Sequence, residues 1–222
     1  MPYSLLLFDY DGTLCDSRQA IQHSIQQFFL EAALPVPPQA EIQRILEMGF
    51  PTFSTLKALQ PNTPPETVAG WVPTYRAIYA EQGEPLVRPF PGAREVLAQA
   101  TAQGAAVVVL SNKGAAILES SLDRLGLLPY VSLLIGDGSF PDKQLQMKPN
   151  PMIFHEVVQP QYPQVRAQEI LMIGDTSADL EFARNSGIDS CWARFGFGNA
   201  EECLALDPTH QIDELSGVLT LV

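Results

Sequence analysis

Leu5-Leu-Leu-Phe-Asp-Tyr-Asp-Gly-Thr13 decides how this chain is read. Its first half is four apolar residues without alternation, the pattern of a strand buried on both faces. Its second half sets two carboxylates, Asp9 and Asp11, at i and i+2, so that both project to one side of an extended chain. Gly12 permits a sharp turn just beyond them. Buried like charges at this spacing are unfavourable unless one is protonated or a cation is shared. A hard divalent ion with oxygen ligands, Mg²⁺, would relieve the repulsion. A calcium EF-hand loop fits poorly, because the flank is a strand and the D-x-D-x-D-G spacing is missing.

Three further apolar runs repeat this punctuation. Ala106-Val-Val-Val-Leu110 precedes Ser111, Val131-Ser-Leu-Leu-Ile135 precedes Gly136-Asp137, and Ile170-Leu-Met-Ile173 precedes Gly174-Asp175. Between them, Ala93, Val96, Leu97 and Ala100, then Ile117, Leu118, Leu122 and Leu125, fall at helical spacing, and helices are also expected at 150–159 and 176–187. Strand alternating with helix predicts a parallel, doubly wound α/β sheet. Ligands bind such sheets at the carboxyl ends of the strands, where these polar residues fall.

Residues 17–83 break the alternation. Ala20, Ile21, Ile25, Phe28, Phe29 and Ala32 mark an amphipathic helix, a proline-rich break follows at 35–38, and helices are expected near 39–48, 52–60 and 65–82. Glu84-Pro-Leu-Val-Arg-Pro-Phe-Pro-Gly92 reads as the return linker. The expected organisation is a discontinuous core, 1–15 and 86–222, with an all-helical unit at 16–85. A length of 222 residues suits one domain with a large insertion.

Composition excludes several classes. With 46% hydrophobic and 17% charged residues there is ample material for a packed core. Thirteen Lys and Arg against 25 Asp and Glu leave a net charge of −12, which repels phosphate backbones and anionic lipid. The expectation is therefore no nucleic acid and no membrane partner, while an anionic small molecule remains compatible if cations or a metal gather at one point. No apolar run approaches the roughly 20 residues of a membrane span, and the N-terminus lacks the pattern of a signal peptide. Cys15, Cys191 and Cys203 form no CxxC pair, which fits reduced thiols and a cytoplasmic location.

The remaining motifs are individually weak. Asp175 and Asp179 lie four apart in Gly-Asp-Thr-Ser-Ala-Asp, so on the first helical turn they share a face; such acids are also ordinary caps. Ser111-Asn112-Lys113 and Lys148-Pro-Asn-Pro151 supply hydroxyl, amide and ammonium donors. His23, His155 and His210 show no ligand spacing, Gly196-Phe-Gly198 lacks the third glycine of a dinucleotide fingerprint, and there is no Walker A sequence. Trp71, Tyr75 and Tyr79 read as helix packing rather than a ligand cage.

In their order, D-x-D-G-T, S-N-K, K-P-x-P and G-D-x-x-x-D, with a helical insertion after the first strand, closely resemble the haloacid dehalogenase superfamily over essentially the whole chain. Gly92 and the stretch Trp192-Ala-Arg-Phe-Gly-Phe-Gly198 look like the family too. The resemblance implies a modified Rossmann core with a helical cap, Asp9 as nucleophile and Asp11 as general acid and base, with Ser111 and Lys148 on the phosphate. It also implies substrate contacts from Thr13, Asn112, Lys113 and Gly49, the last in the loop Met48-Gly-Phe-Pro-Thr52. Mg²⁺ would be held by the Asp9 carboxylate, the Asp11 main-chain carbonyl and Asp175, with Asp179 in support. The dehalogenases resemble D-x-Y-G-T and lack the second acid, so this chain looks like a phosphatase. The phosphoglycolate phosphatase branch is the nearest likeness, acting as monomer or homodimer on a small phosphorylated metabolite. Pyrophosphatase, sugar phosphatase or nucleotidase, β-phosphoglucomutase-like phosphotransferase and a non-catalytic binding module are the alternatives.

Overall fold

The apolar runs fold as neighbouring parallel strands. A computed structural model describes residues 3–143 and 145–222. From the N-terminus, β1 (Leu5–Phe8) leads to a short β2 (Cys15–Asp16) and then to helices α1 (Arg18–Glu31), α2 (Gln39–Leu46), α3 (Thr52–Leu59) and α4 (Pro65–Ile78). The chain returns through β3 (Arg88–Pro89). Next come α5 (Ala93–Ala102), β4 (Ala106–Gly114), α6 (Ala115–Arg124), β5 (Leu133–Asp137), α7 (Gln159–Gln161) and β6 (Ile170–Gly174). Then follow α8 (Ser177–Ser186), β7 (Asp189–Ala193), α9 (Ala200–Ala205), β8 (His210–Ile212) and a 3₁₀ helix, Leu215–Thr220. The main sheet runs β5-β4-β1-β6-β7-β8, every pair parallel. This is a doubly wound α/β core carrying an inserted helical cap.

Continuous hydrophobicity is explained by the two faces. Leu6, Phe8, Val107, Val109, Leu171 and Ile173 pack on one side with α5 and α6 through Val96, Leu97, Leu118 and Leu122. Leu5, Leu7, Val108, Leu110, Ile170 and Met172 pack on the other with Phe154, Val157, Phe182 and Ala183. Alternation of side-chain direction thus buries every residue of a central strand. The first apolar cluster continues into the inserted helices through Ile25, Phe28, Ile42, Leu56 and Tyr75.

Several local expectations need correction. β4 runs through Ser111-Asn112-Lys113 to Gly114, with a register shift after Leu110, so these residues lie within the strand end rather than after it. An irregular strand end re-aims side chains, and the S-N-K residues sit on it. The return segment is no free linker: β2 and β3 pair antiparallel, Cys15 opposite Pro89 and Asp16 opposite Arg88. Two-residue strands carry no periodicity to read. Helix α4 ends at Ile78 and widens into a π turn, Tyr79–Gly83; similarly Phe154–Val158 is π-helical ahead of α7.

Glu84, in the return segment, is buried and fastened to the core. Arg124 Nη2 donates to its Oε1 at 2.6 Å, Ser121 Oγ donates to the same oxygen, and the Tyr10 hydroxyl bonds Ser121. Among the described residues, no helix is long and apolar enough to cross a membrane, and all three cysteines are free and buried.

The sheet centre should be the least tolerant part of the core. Leu7, fully buried on β1 between β4 and β6, should cost about 2–5 kcal/mol when replaced in Leu7→Ala. Urea denaturation checks this; a loss below about 1 kcal/mol would contradict the packing described.

Candidate active site

Asp9 follows β1 and continues its pairing, its amide donating to the Ile173 carbonyl at 2.8 Å. The chain then folds back tightly: Leu14 N and Cys15 N both donate to the Tyr10 carbonyl, at 3.1 and 2.9 Å. Gly12 makes this turn at φ +88, where L side chains are strained, and a Cβ there would overlap the Asp175 carboxylate. The first and fourth sequence motifs are therefore pressed together by a missing side chain.

Asp175 is wholly buried beyond the end of β6. Thr13 Oγ1 donates to one carboxylate oxygen at 2.9 Å and Phe197 N to the other at 2.7 Å. Trp192 Nε1 donates to its carbonyl at 3.1 Å, and Cβ atoms at Gly196 or Gly198 would collide with it. The W-A-R-F-G-F-G stretch is a clamp on this acid. Asp179, on the first turn of α8, accepts from Thr176 N and Oγ1 at 3.0 and 2.8 Å, closing a capping box. Its other oxygen takes Lys148 Nζ at 2.6 Å, and the same ammonium reaches Asp9 Oδ1 at 2.7 Å.

Ligand oxygens of Asp9, Asp175 and Asp179 all lie within 4.8 Å of one another. Burial raises the Asp9 carboxyl to about 7, with Lys148 opposing and Asp179 reinforcing the rise. Burial, then Asp179 and Asp9, hold Asp175 well above the usual carboxylate range. For Lys148 burial alone would lower the ammonium, but Asp179 and Asp9 outweigh it and raise it. Three acids facing one ammonium form a donor set that fits a hard divalent cation: oxygen ligands only, with an excess of negative charge.

A cavity of about 650 Å³ opens over this cluster, lined by Asp9, Asp11, Ser111, Lys113, Lys148 and Asp179 from the core and by residues of the inserted helices above them. Ser111 is buried against it. Asp11 is partly exposed there, and Lys113 Nζ donates to it at 3.2 Å and to the Tyr79 hydroxyl at 2.5 Å. Tyr75 and Tyr79 thus pack the cap and also wall the cavity, while Trp71 and Tyr75 pack edge-on to Phe28.

Thr13 and Asn112, expected as substrate contacts, differ in their placement. Thr13 is wholly buried, does not line the cavity, and gives its hydroxyl to Asp175. Asn112 reaches the cavity wall, but its amide nitrogen is engaged by the carbonyls of Gly49 at 2.7 Å and Lys148 at 3.1 Å. It ties the Gly49 loop to the core. Gly49 itself lines the cavity. The histidines lie elsewhere, against Gln82, Gln159 and Tyr3. Phe197 and Thr176 carry no site signature in the sequence, since a main-chain donor and a cap have no distinctive residue type; Trp192 takes part through its indole N–H.

Comparison with known proteins agrees with this geometry. The model of the haloacid dehalogenase-like hydrolases matches residues 6–193, and the chain belongs to that family. It is a hydrolase of that family. The chain is 26% identical over 223 residues to the phosphoglycolate phosphatase of Vibrio parahaemolyticus, covering 98% of this chain and 95% of that one. It is 27% identical over 217 residues to that of Neisseria gonorrhoeae, covering 96% and 88%. Its fold is similar to a haloacid dehalogenase-like family hydrolase from Streptococcus pneumoniae, with TM-score 0.81, 22% identity and coverage of 98% and 97%. It is also similar to magnesium-bound YfnB of Bacillus subtilis, a structure that reveals interdomain movement, with TM-score 0.72, 22% identity and coverage of 99% and 98%.

Among the described residues Lys148 is the sole ammonium between Asp9 and Asp179, so Lys148→Met should leave both uncompensated. At pH 8 in chelator the expected cost is about 3–5 kcal/mol by chemical denaturation. A cost near zero would show that the acids do not depend on it.

Proposed function

We propose that the chain is a Mg²⁺-dependent phosphatase that hydrolyses a small phosphomonoester of the phosphoglycolate type through an aspartyl phosphate. The observation that carries the proposal is Asp9: a buried carboxylate just beyond the carboxyl end of β1, bonded to Lys148 at 2.7 Å, facing a cavity it shares with Asp11 and Ser111.

The steps follow from the residue types. Asp9 attacks phosphorus and the bond to the leaving oxygen breaks as Asp11 gives that oxygen a proton. Water, losing its proton to Asp11, then attacks phosphorus and the bond to Asp9 breaks. Lys148 and Ser111 orient the phosphoryl oxygens, the ammonium offsetting charge that grows on them. Asp9 and Asp175 would hold the metal together with the Asp11 carbonyl, Asp179 supporting; when bound, the ion neutralises charge on the phosphoryl group and on the acids. The magnesium of YfnB, on a similar fold, supports this choice of ion.

The phosphoglycolate phosphatases among the relatives support the substrate class. The cavity of about 650 Å³ has room beyond a two-carbon acid, which favours a sugar phosphate as a second reading. We take 16–85 as the cap and 1–15 with 86–222 as the core; the β2–β3 ribbon lies where the chain crosses between them. The reduced, buried cysteines suit the cytoplasm.

Asp9→Asn should form no phosphoenzyme with any substrate. Asp11→Asn should lose about 10²–10⁴-fold on alkyl phosphates, while an aryl phosphate, needing no proton on departure, still phosphorylates Asp9 slowly. Mass spectrometry that mapped a trapped phosphoryl group to another residue would overturn the mechanism.

Metal binding has its own signature. With Asp9 held up to about 7, the folded metal-free protein keeps a proton that the unfolded chain has released above roughly pH 4. Stability of the metal-free form therefore falls as pH rises through that window. Metal binding requires ionised acids, so the rise in Tm on adding Mg²⁺ should be larger at pH 8 than at pH 5.5 and should shrink in Asp175→Asn. A pH-independent rise that survives this substitution would place the ion elsewhere.

A further inference from the structure

We infer that Arg76 is the receptor for a carboxylate on the leaving group, and that Asp137 holds its place in the absence of substrate. This rests on the phosphatase reading above. Arg76 stands in the last turn of α4, on the cap side of the cavity, and Asp137 ends β5 on the core side. Arg76 Nη2 meets Asp137 Oδ2 at 2.5 Å. Both residues line the cavity, so the pair links its cap side to its core side.

Arg76 differs from the other two cations lining the cavity among the described residues. Lys148 is buried between two acids of the cluster, and Lys113 is buried against Asp11 and Tyr79. The Arg76 and Asp137 side chains remain 43% and 37% exposed. Nε and Nη1 of Arg76 make no hydrogen bond among the described residues. The guanidinium lies over Gly114, the register partner of Asp137, where even a Cβ would stand 3.6 Å from Nε and Cζ. Its donor edge is open.

A half-exposed ion pair contributes little to stability, so exchanging one carboxylate for another across it is nearly free. The fork of a guanidinium matches a planar carboxylate bidentately, and its present partner is a carboxylate. Such a charge is also required. An anionic tail entering a cavity walled by Asp9, Asp11 and Asp179 is repelled unless a cation receives it. The class assigned is a phosphomonoester whose leaving group ends in a carboxylate, phosphate toward Asp9 and carboxylate toward Arg76.

The test compares phosphoglycolate with its neutral amide and with 2-hydroxyethyl phosphate, using p-nitrophenyl phosphate as reference. The wild type should prefer the carboxylate ester in kcat/KM. Arg76→Ala should reduce that preference about tenfold to a hundredfold, the scale of one charge-assisted hydrogen-bonded contact, chiefly through KM. Asp137→Asn removes the competitor and should raise the preference. Opposite signs separate a binding role from a plain cap–core contact, for which both variants would shift all esters in the same direction. Variants shifting alike, or a preference that survives Arg76→Ala, would overturn the assignment. If p-nitrophenyl phosphate is hydrolysed but the carboxylate ester is not preferred, only the Arg76 assignment fails; if no ester is hydrolysed, the phosphatase reading fails and takes the assignment with it.

Discussion

Everything in this molecule answers to one electrostatic constraint: three carboxylates share a buried space with a single ammonium. Lys148 is shared between Asp9 and Asp179, and the Asp175 carboxylate is held by the Thr13 hydroxyl and the Phe197 amide instead of a cation. The parallel sheet makes this arrangement possible. Adjacent strands β1 and β6 end side by side, so acids that are far apart in sequence arrive at one place. The cost of burying them is offset locally, by the capping box on α8 and by the glycine-rich clamp after β7. Such an assembly is costly in isolation and sensible as a receptor for a divalent ion and a phosphoryl group.

The cap is joined to this cluster by direct bonds rather than by apolar packing alone. Asn112 bonds the Gly49 carbonyl, and Lys113 bonds both Asp11 and the Tyr79 hydroxyl. The two residues are adjacent on the irregular end of β4, and each joins a core acid or carbonyl to a different cap segment. Below them, the Tyr10–Ser121–Glu84 chain connects the residue between the two first-strand acids to the segment by which the cap returns. Asp9 and Asp11 thus lie among polar contacts that also reach the inserted helices.

Much of this was legible in the sequence because strand burial and strand-end chemistry leave residue-type signatures. Apolar runs such as Leu5-Leu-Leu-Phe8 marked the central strands, and the acids immediately after them marked the site. What escaped notice has no such signature. The β2–β3 ribbon depends on two residues per strand, too few for any period to show. Thr13 looks like a ligand contact in D-x-D-G-T, but the turn at Gly12 points it at Asp175. Asn112 is directed by the register shift in β4, which follows from tertiary packing and not from local pattern. Phe197 acts through its backbone amide, for which any residue but proline would serve.

The crowding around Asp175 divides the protein into parts with very different freedom to vary. Gly12, Gly196 and Gly198 each leave no space for a Cβ against that acid, so the machinery of bond cleavage has almost no accessible mutational neighbours. On the cavity wall, Arg76 and Asp137 are partly exposed, and Gly114 has room for a methyl group at ordinary contact distance. Substitutions there meet no packing veto. Replacing Arg76, Asp137 or Gly114 can therefore reshape that wall without disturbing the contacts packed around Asp175.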